Sequence, residues 1–539
     1  MTRAALAALA ALLLCAPAAR AGAFPIELPG DAAASSVRAD PDTWIVGARP
    51  GARAAAVAKR FHARHIALGG YVLAKTRARA FADALRADDL LVYAQANVIR
   101  DRMQAVPDDP LSSPPNDWRK KVADPALSPP PVTAQSPLIA LVDAAADVSH
   151  PEWSGDPWFS TTPGHRVTNS HGTATASVAA APKNGVGILG VWPGARAVNV
   201  PLETVPGSDG AITCAASGDA IEAATKTGAA VINMSYGSVN RCVPEWIQIY
   251  FAFAKGIVPV AAAGNEFESG NPLEFPASLP HVVTVAATDA ADKSAPFSNA
   301  NAAVDLSAPG VGILAAVPPA LDTDGAQDGY QALDGTSFSA PMVSAGLAWV
   351  RAARPDLPLA SVIQAIRLGA RDVERPGWDS LTGFGVLDIG KSLSLTPQQL
   401  PVPDPFEPND NLVWVDGTAF GARAKPIWAG GAPVEIAALL DKQEDPVDVY
   451  RITVPAHGSA RVTVIPGFGD PSLEVFSSSA ESVNDESGLV ASSRRAGSKK
   501  TERVTVRNNG SKRRSYYVAI KPQGSSRYQE RRYRLRVRA

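Results

Sequence analysis

Cysteine is scarce in this chain. Three residues in 539, Cys15, Cys214 and Cys242, are too few for a disulfide-dense scaffold. Neither sign of charge is in excess: 51 Lys and Arg stand against 52 Asp and Glu, for a net charge near −1. That balance excludes a globally basic nucleic-acid binder. Long apolar runs are missing beyond the N-terminus. Val258–Ala263 and Val282–Ala287 are the length of strands, well short of the ~20 residues a membrane helix needs. No repeat of solenoid period is visible. What is present is a 46% hydrophobic composition, enough for large cores, over a length that suits about three or four domains.

The N-terminus opens Met1-Thr2-Arg3, continues apolar through Leu14, and closes on small residues from Ala16 to Ala21. This predicts a secretory signal peptide over residues 1–21, cut before Gly22. A lipoprotein anchor at Cys15 is disfavoured by the bulk of Leu14. The exported chain would keep Cys214 and Cys242, which either close one disulfide or stay as two buried thiols. The expected location is secreted or extracellular, with periplasm and cell surface both open.

Chemistry enters at Asp334-Gly335-Thr336-Ser337-Phe338-Ser339-Ala340-Pro341. A glycine turn precedes an apolar, small-residue stretch through Trp349, which predicts a helix with Ser337 exposed at its start. Free backbone N–H groups and the positive end of the helix dipole suit an attacking oxygen and the oxyanion it generates. A serine in such a position is more often a plain N-cap, so the chemical reading needs partners. Ser136 to Asp143 reads as a short buried strand carrying a carboxylate at its carboxyl end, where open parallel sheets build their sites. Asn169 to Ala181 predicts a helix of tiny side chains opening on His171, held close against a sheet. Gly256 to Asn265 predicts another buried strand, with Pro259 marking its start and a glycine turn and an amide at its end. Taken singly, these are a turn aspartate, a structural histidine and a turn asparagine.

In this order the four segments resemble the subtilisin-like (subtilase) serine peptidases, whose chain order is Asp, His, Ser. The match extends to Val148–Trp153, Asn184–Ala195, Val231–Gly237, Phe297–Asn299 and Asp305–Gly310, and covers roughly residues 110 to 395. The resemblance implies an α/β fold, a subtilisin-like parallel sheet flanked by helices. It implies a catalytic triad of Asp143, His171 and Ser337, with the Asn265 amide and the Ser337 N–H holding the oxyanion. It also implies a substrate cleft lined by Ser235, Tyr236, Gly237, Ala262, Ala263 and Gly264. Glu274 falls near the floor of the first specificity pocket, where a carboxylate favours a basic or polar partner; it reads equally well as a solvated loop residue. Two positions depart from the family pattern. Ala144 and Ala145 replace the hydroxyl and glycine usual after the aspartate, and Met342 stands where a histidine is common.

The flanks carry resemblances of their own. Residues 36–105 read as a small α+β unit, with strands at Thr43–Gly47, Gly70–Ala74, Leu90–Ala94 and Asn97–Arg100 and helices at Ala54–Arg64 and Ala80–Ala87. The unit is similar to the inhibitory propeptides of subtilases; a permanent N-terminal domain is the other reading. His62 and His65 sit on its surface rather than on a metal. Residues 106–135 read as a Pro/Ser-rich linker and processing region, and 136–398 as the peptidase domain. From 404 to 539, short runs of period two predict a β-sandwich that resembles the bacterial prepeptidase C-terminal domain through Glu407-Pro408-Asn409-Asp410 and Asp448-Val449-Tyr450. Pro446 stands where that family commonly has an aspartate, so a structural calcium is left open; the metal ligands are unknown, and catalysis needs no cofactor. The Arg/Lys-rich tail from Arg494 reads as a solvated strand face, with adhesion to an anionic surface as the lesser reading.

The expected function is a secreted serine endopeptidase that hydrolyses proteins or peptides through an acyl-enzyme. Its partners are those substrates and its own propeptide; no nucleic acid and no membrane span are expected, and the protein is expected to be a monomer. The alternative is a non-catalytic binding or adhesion protein on the same scaffold, for which Ala144 and Ala145 are the main support.

Overall fold

The computed structural model describes residues 26, 28–30, 39–49, 51–66, 70–98, 109–112, 117–202, 212–402, 404–419, 421–443, 445–484, 486–497, 499–523 and 531–539. The expected signal peptide, with Cys15, lies outside them. Two compact units divide the chain, residues 1–105 and 106–539.

The first unit is an antiparallel sheet of β1 (Ala39–Ala48), β2 (Arg64–His65), β3 (Gly70–Ala74) and β4 (Leu91–Val98), in the order β2-β3-β1-β4. Helices α1 (Ala52–Arg60) and α2 (Lys75–Ala87) bury Ala54, Val57, Phe81 and Leu85 against Trp44, Val46 and Leu73. The helix expected over Ala54–Arg64 stops at Arg60. His62 turns the chain at φ 52°, and Arg64 and His65 pair with β3 instead. The two strands expected at Leu90–Ala94 and Asn97–Arg100 form one, β4; Ile99 and Arg100 lie outside the described residues.

The second unit holds a seven-stranded parallel sheet. Its strands are β5 (Ile139–Asp143), β6 (Phe159–Thr161), β7 (Ala197–Pro201), β8 (Val231–Met234), β9 (Val258–Ala262), β10 (Val283–Thr288) and β11 (Val304–Pro309), in the order β11-β10-β9-β8-β5-β7-β6. The central strands are apolar without alternation because both faces are covered. Ile139, Leu141, Val231 and Val260 face α3 (His171–Ala180) and, after the antiparallel pair β12 (Ile313–Ala316) and β13 (Tyr330–Leu333), α6 (Thr336–Ala353). Ala140, Val142, Ile232 and Met234 face α4 (Cys214–Lys226) and α5 (Val243–Ala254). Helices α7 (Leu359–Gly369) and α8 (Ile389–Ser394) complete the first of these layers. Cys214 and Cys242 are joined in a disulfide that ties the start of α4 to the cap of α5.

The stretch expected as a linker is packed against this body. Trp118 is buried and donates from Nε1 to Leu314 O at 3.2 Å. Asp109 Oδ1 accepts from the amides of Asn184, Gly185 and Val186 at 3.1, 2.6 and 3.1 Å.

Beyond a short helix α9 (Leu412–Val415) the chain forms two antiparallel sheets face to face. One has the order β14 (Val434–Leu440), β21 (Arg531–Arg538), β16 (Ser459–Pro466), β19 (Glu502–Arg507); the other β15 (Asp448–Val454), β20 (Arg514–Pro522), β17 (Pro471–Ser477), β18 (Leu489–Ser493). Leu440, Ile452, Val462, Val475, Val518 and Leu535 fill the space between them. In β19, Glu502, Val504 and Val506 point in while Arg503 and Arg507 point out, as expected for a solvated basic face. Trp414 stacks on Tyr250 at 4.4 Å, and Gln443 donates to Ser278 O at 2.9 Å, so the sandwich rests on the parallel-sheet body. No described helix is long and apolar enough to cross a membrane.

Candidate active site

Three elements of the parallel-sheet body end at one place. Asp143 is the last residue of β5 and is buried. His171 opens α3, and Ser337 is the second residue of α6. Gly335 supplies the φ of 147° that swings the chain into α6, a conformation open to glycine. His171 Nδ1 donates to Asp143 Oδ1 at 2.6 Å, and the His171 ring lies 5.8 Å from that of Phe338, the neighbour of Ser337. Ser337 is half-buried, and the His171 side chain is 35% exposed, so the site faces solvent. Burial pulls the imidazole pKa down, but the charge and hydrogen bond of Asp143 outweigh it and leave it raised.

The Ser337 turn is braced from the end of β8. Pro341 has no N–H, so the Ser337 carbonyl one turn earlier lacks its helical partner. Ser235 Oγ donates to that carbonyl at 2.9 Å, while Ser337 Oγ donates to Ser235 O at 3.2 Å. Behind Ser235, Asn233 Nδ2 donates to its hydroxyl at 2.9 Å, and Ser344 Oγ donates to Asn233 Oδ1 at 3.0 Å. This chain of bonds joins β8 to α6 directly under the serine.

Asn265 follows β9 and is exposed. Its Oδ1 accepts from Thr336 N and Thr336 Oγ1 at 2.9 and 3.0 Å, which fixes the amide plane and turns Nδ2 away from those donors. The Thr336 hydroxyl in turn accepts from Gly264 N at 3.2 Å. Ala262, Ala263 and Gly264 run from β9 into this turn, and Ser235, Tyr236 and Gly237 leave β8 beside it. The Tyr236 side chain points back into the body, its hydroxyl 3.0 Å from Ser217 Oγ, so only its backbone is left for the cleft.

The substitution of alanine after Asp143 is made good elsewhere. Asp143 Oδ1 accepts from Ala144 N at 2.7 Å, and Oδ2 accepts from Thr175 Oγ1 at 3.0 Å. Thr175 lies one turn after His171 on the same helix, so one face of α3 offers both groups to one carboxylate. The loop after Asp143 is pinned by Asn199, whose Nδ2 donates to Ala144 O at 3.0 Å and whose Oδ1 accepts from Ala146 N at 2.9 Å. Sequence reasoning missed Thr175, Thr336 and Asn199. The four-residue spacing from His171 was the available signal for Thr175. Met342 is fully buried, as core packing requires.

Carboxylates also gather where the sandwich meets the body. Ligand atoms of Asp404, Glu407, Asp445 and Asp448 lie within 4.8 Å of one another. Burial, then mutual repulsion, lifts Glu407 and Asp445 well above the usual range. His281 of the body reaches Asp410 Oδ2 at 2.8 Å and Glu407 Oε2 at 3.3 Å. An all-oxygen set of this charge could hold a hard divalent cation such as calcium.

Comparison with known proteins bears on the family. The family model described as the subtilase family matches residues 134–385. A probable subtilase-type serine protease of Deinococcus radiodurans is 31% identical over 299 residues, 48% of this chain and 40% of its own length. A subtilisin of Bacillus pumilus is 33% identical over 241 residues, 44% of this chain and 84% of its own length. Subtilisin DY of Bacillus licheniformis is 36% identical over 198 residues, 36% of this chain and 68% of its own length. Several relatives are matched over less of their length: the chain spans 40% of the Deinococcus protein and 60% of subtilisin E of Bacillus subtilis. With residues 134–385 matched by the subtilase family model and a Bacillus pumilus subtilisin 33% identical over 84% of its own length, the chain belongs to the subtilase family of serine peptidases.

Proposed function

We propose that this chain is a secreted endopeptidase that cleaves proteins through an acyl-enzyme, with Ser337 as nucleophile, His171 as general base and acid, and Asp143 as the group that orients His171. The observation that carries the reading is the 2.6 Å Asp143–His171 bond at the mouth of the Ser337 turn. Ser337 Oγ rotates from the Ser235 carbonyl toward the imidazole, attacks the peptide carbonyl, and gives its proton to His171; His171 then passes it to the departing amine. Asn265 Nδ2 and the Ser337 N–H receive the oxyanion. His171 must be neutral to act as base, so kcat/KM rises with pH through its raised pKa. Ala144 and Ala145 lose their force as support for a binding protein, because Thr175 supplies a hydroxyl to Asp143.

The flanking assignments belong to the same reading. A signal peptide over 1–21 exports the chain, and the unit within 36–105 serves as an inhibitory propeptide. The peptidase domain spans 136–398, and the sandwich from 404 to 539 is a prepeptidase C-terminal-like domain. Two measurements test the function together: labelling by a fluorophosphonate, and a casein digest with mapped cleavage sites. An unlabelled, inactive mature protein ends the endopeptidase reading.

Asn265→Ala is expected to keep the fold and lower kcat by about 10²–10³, or roughly 2.7–4 kcal/mol, with little change in KM. That magnitude is the one known for a subtilisin rather than one derived from these distances. Steady-state kinetics at full fluorophosphonate titre measure it, and wild-type turnover would remove Asn265 from the mechanism.

Thr175→Val keeps the shape of the side chain and removes the donor to Asp143 Oδ2. A buried carboxylate oxygen left unpaired costs about 1–3 kcal/mol of stability, and a carboxylate with one bond fewer orients His171 less well, so kcat is expected to fall, by up to about 100-fold, at unchanged KM. Thr175→Ser should restore most of it. Equal rates for Val and Ser would assign Thr175 to packing alone.

A further inference from the structure

The cleft contains a pair of acidic groups, set apart from Asp143. Phe275 pairs with Ser238 by two backbone bonds, Ser238 N to Phe275 O at 2.9 Å and Phe275 N to Ser238 O at 2.8 Å. This pairing lays Glu274 alongside Gly237. A Cβ on Gly237 would come within 2.5 Å of Glu274 Oε2. A Cβ on Gly264 would come within 2.8 Å of Glu274 Cδ and 2.9 Å of Glu266 Oε2. Both carboxylates therefore occupy space that two glycines leave empty. Those glycines belong to the segments that carry Ser235 and Asn265, the residues that hold and face Ser337.

We propose that Glu274 and Glu266 form the receptor for the cationic side chain of Lys or Arg at the P1 position, the residue whose carbonyl Ser337 attacks. The proposal rests on reading this site as that of a peptidase. Glu274 is buried, with 8% of its surface exposed, while Glu266 is half-buried nearer the mouth. Glu266 is fixed in place: its Oε2 accepts from Asn265 N at 2.7 Å and from Asn299 Nδ2 at 3.4 Å. Among the described residues no lysine, arginine or histidine forms an ion pair with either group. Arg241 is the nearby cation, and it lies 4.9 Å over the Phe275 ring. Burial first, then the hydrogen bond and charge of Glu266, lift the Glu274 carboxyl to about 8, so below that pH Glu274 rests protonated. A guanidinium or ammonium entering between Gly237 and Gly264 releases that proton to water and meets two charges. A Phe or Leu side chain offers neither carboxylate a partner and leaves them desolvated, which costs binding.

The test uses peptide anilides that differ only at P1, Arg, Lys, Phe or Leu, and the mature protein titrated with a fluorophosphonate. At pH 9 we expect kcat/KM for Arg and Lys to exceed that for Phe and Leu by about 100-fold. The ratio should narrow toward pH 6 as Glu274 takes up its proton. Glu274→Gln should cut the Arg/Phe ratio at least ~10-fold and raise the Ki of benzamidine in step, and Glu266→Gln should do so less. A labelled enzyme that cleaves after Phe as well as after Arg, or a ratio that neither variant moves, overturns the proposal and leaves the peptidase reading standing. A protein that neither labels nor cleaves any of the four overturns both.

Discussion

Ser337→Ala is expected to lower kcat on any peptide by on the order of 10⁶ while leaving the fold unchanged. The magnitude is that of a subtilisin, and the reason it should carry over lies in the local geometry. In the proposed mechanism the lost oxygen is the atom that forms the acyl bond, and no described side chain stands in its place. The turn itself does not depend on that hydroxyl. Gly335, the Thr336–Asn265 bonds and the Ser235 bond to the Ser337 carbonyl all remain. The residual rate over water should come from Asn265 and the Ser337 N–H, at about 10³–10⁴. Fluorophosphonate labelling should vanish, with an unchanged circular dichroism spectrum and melting temperature. A variant that keeps more than about a hundredth of wild-type kcat would mean that another group attacks the carbonyl.

The second large effect is on stability. Arg367 on α7 reaches Asp305 on β11 at 2.5 Å, with side-chain exposures of 6% and 0%. Thr284 N donates to the other carboxylate oxygen at 2.8 Å. Arg367→Ala leaves the Asp305 charge buried with one donor, which costs about 3–5 kcal/mol. For a body of this size that corresponds to a melting temperature lower by roughly 5–9 °C. Burial already lifts the Asp305 carboxyl to about 6, against the pull of Arg367. Without Arg367 it should rise further. The deficit is therefore smallest below about pH 6, where both forms carry a protonated Asp305, and grows above it. Calorimetry in a Ser337→Ala background, which prevents self-digestion, measures both terms. A shift of less than about 2 °C at pH 8 would mean that the body relaxes to let water reach Asp305.

The placing of the candidate residues at strand and helix ends was legible in the sequence because each sits at a change of pattern. Asp143 closes an apolar run, His171 opens a run of tiny side chains, and Ser337 follows a glycine turn. The bonds that hold these residues were less legible, because they join segments far apart in the chain. Thr336 orients an amide 71 residues away, and the link from Ser344 to Asn233 spans 111. Glu274 was recognised, but its approach to Glu266 depends on the room that Gly237 and Gly264 leave beside it. In the sandwich, β14, β18 and β19 went unseen. β14 carries consecutive small and apolar residues in place of a clean alternation, and β19 reads as part of a basic tail until its inward Glu502, Val504 and Val506 are paired with β16. Helix α1 ended early for a tertiary reason: β3 offered Arg64 and His65 an edge.

The three amides gathered on Asp109 bear on the proposed maturation. They come from the loop after α3, the helix that begins with His171, and Leu111 N adds a fourth link to that loop at Gly187 O, 2.8 Å away. A scission downstream of Asp109 would release this clasp and leave three backbone donors to find water. A scission upstream would free the leading segment and keep the clasp shut, so the loop behind the imidazole would be no looser in the trimmed protein than in its precursor.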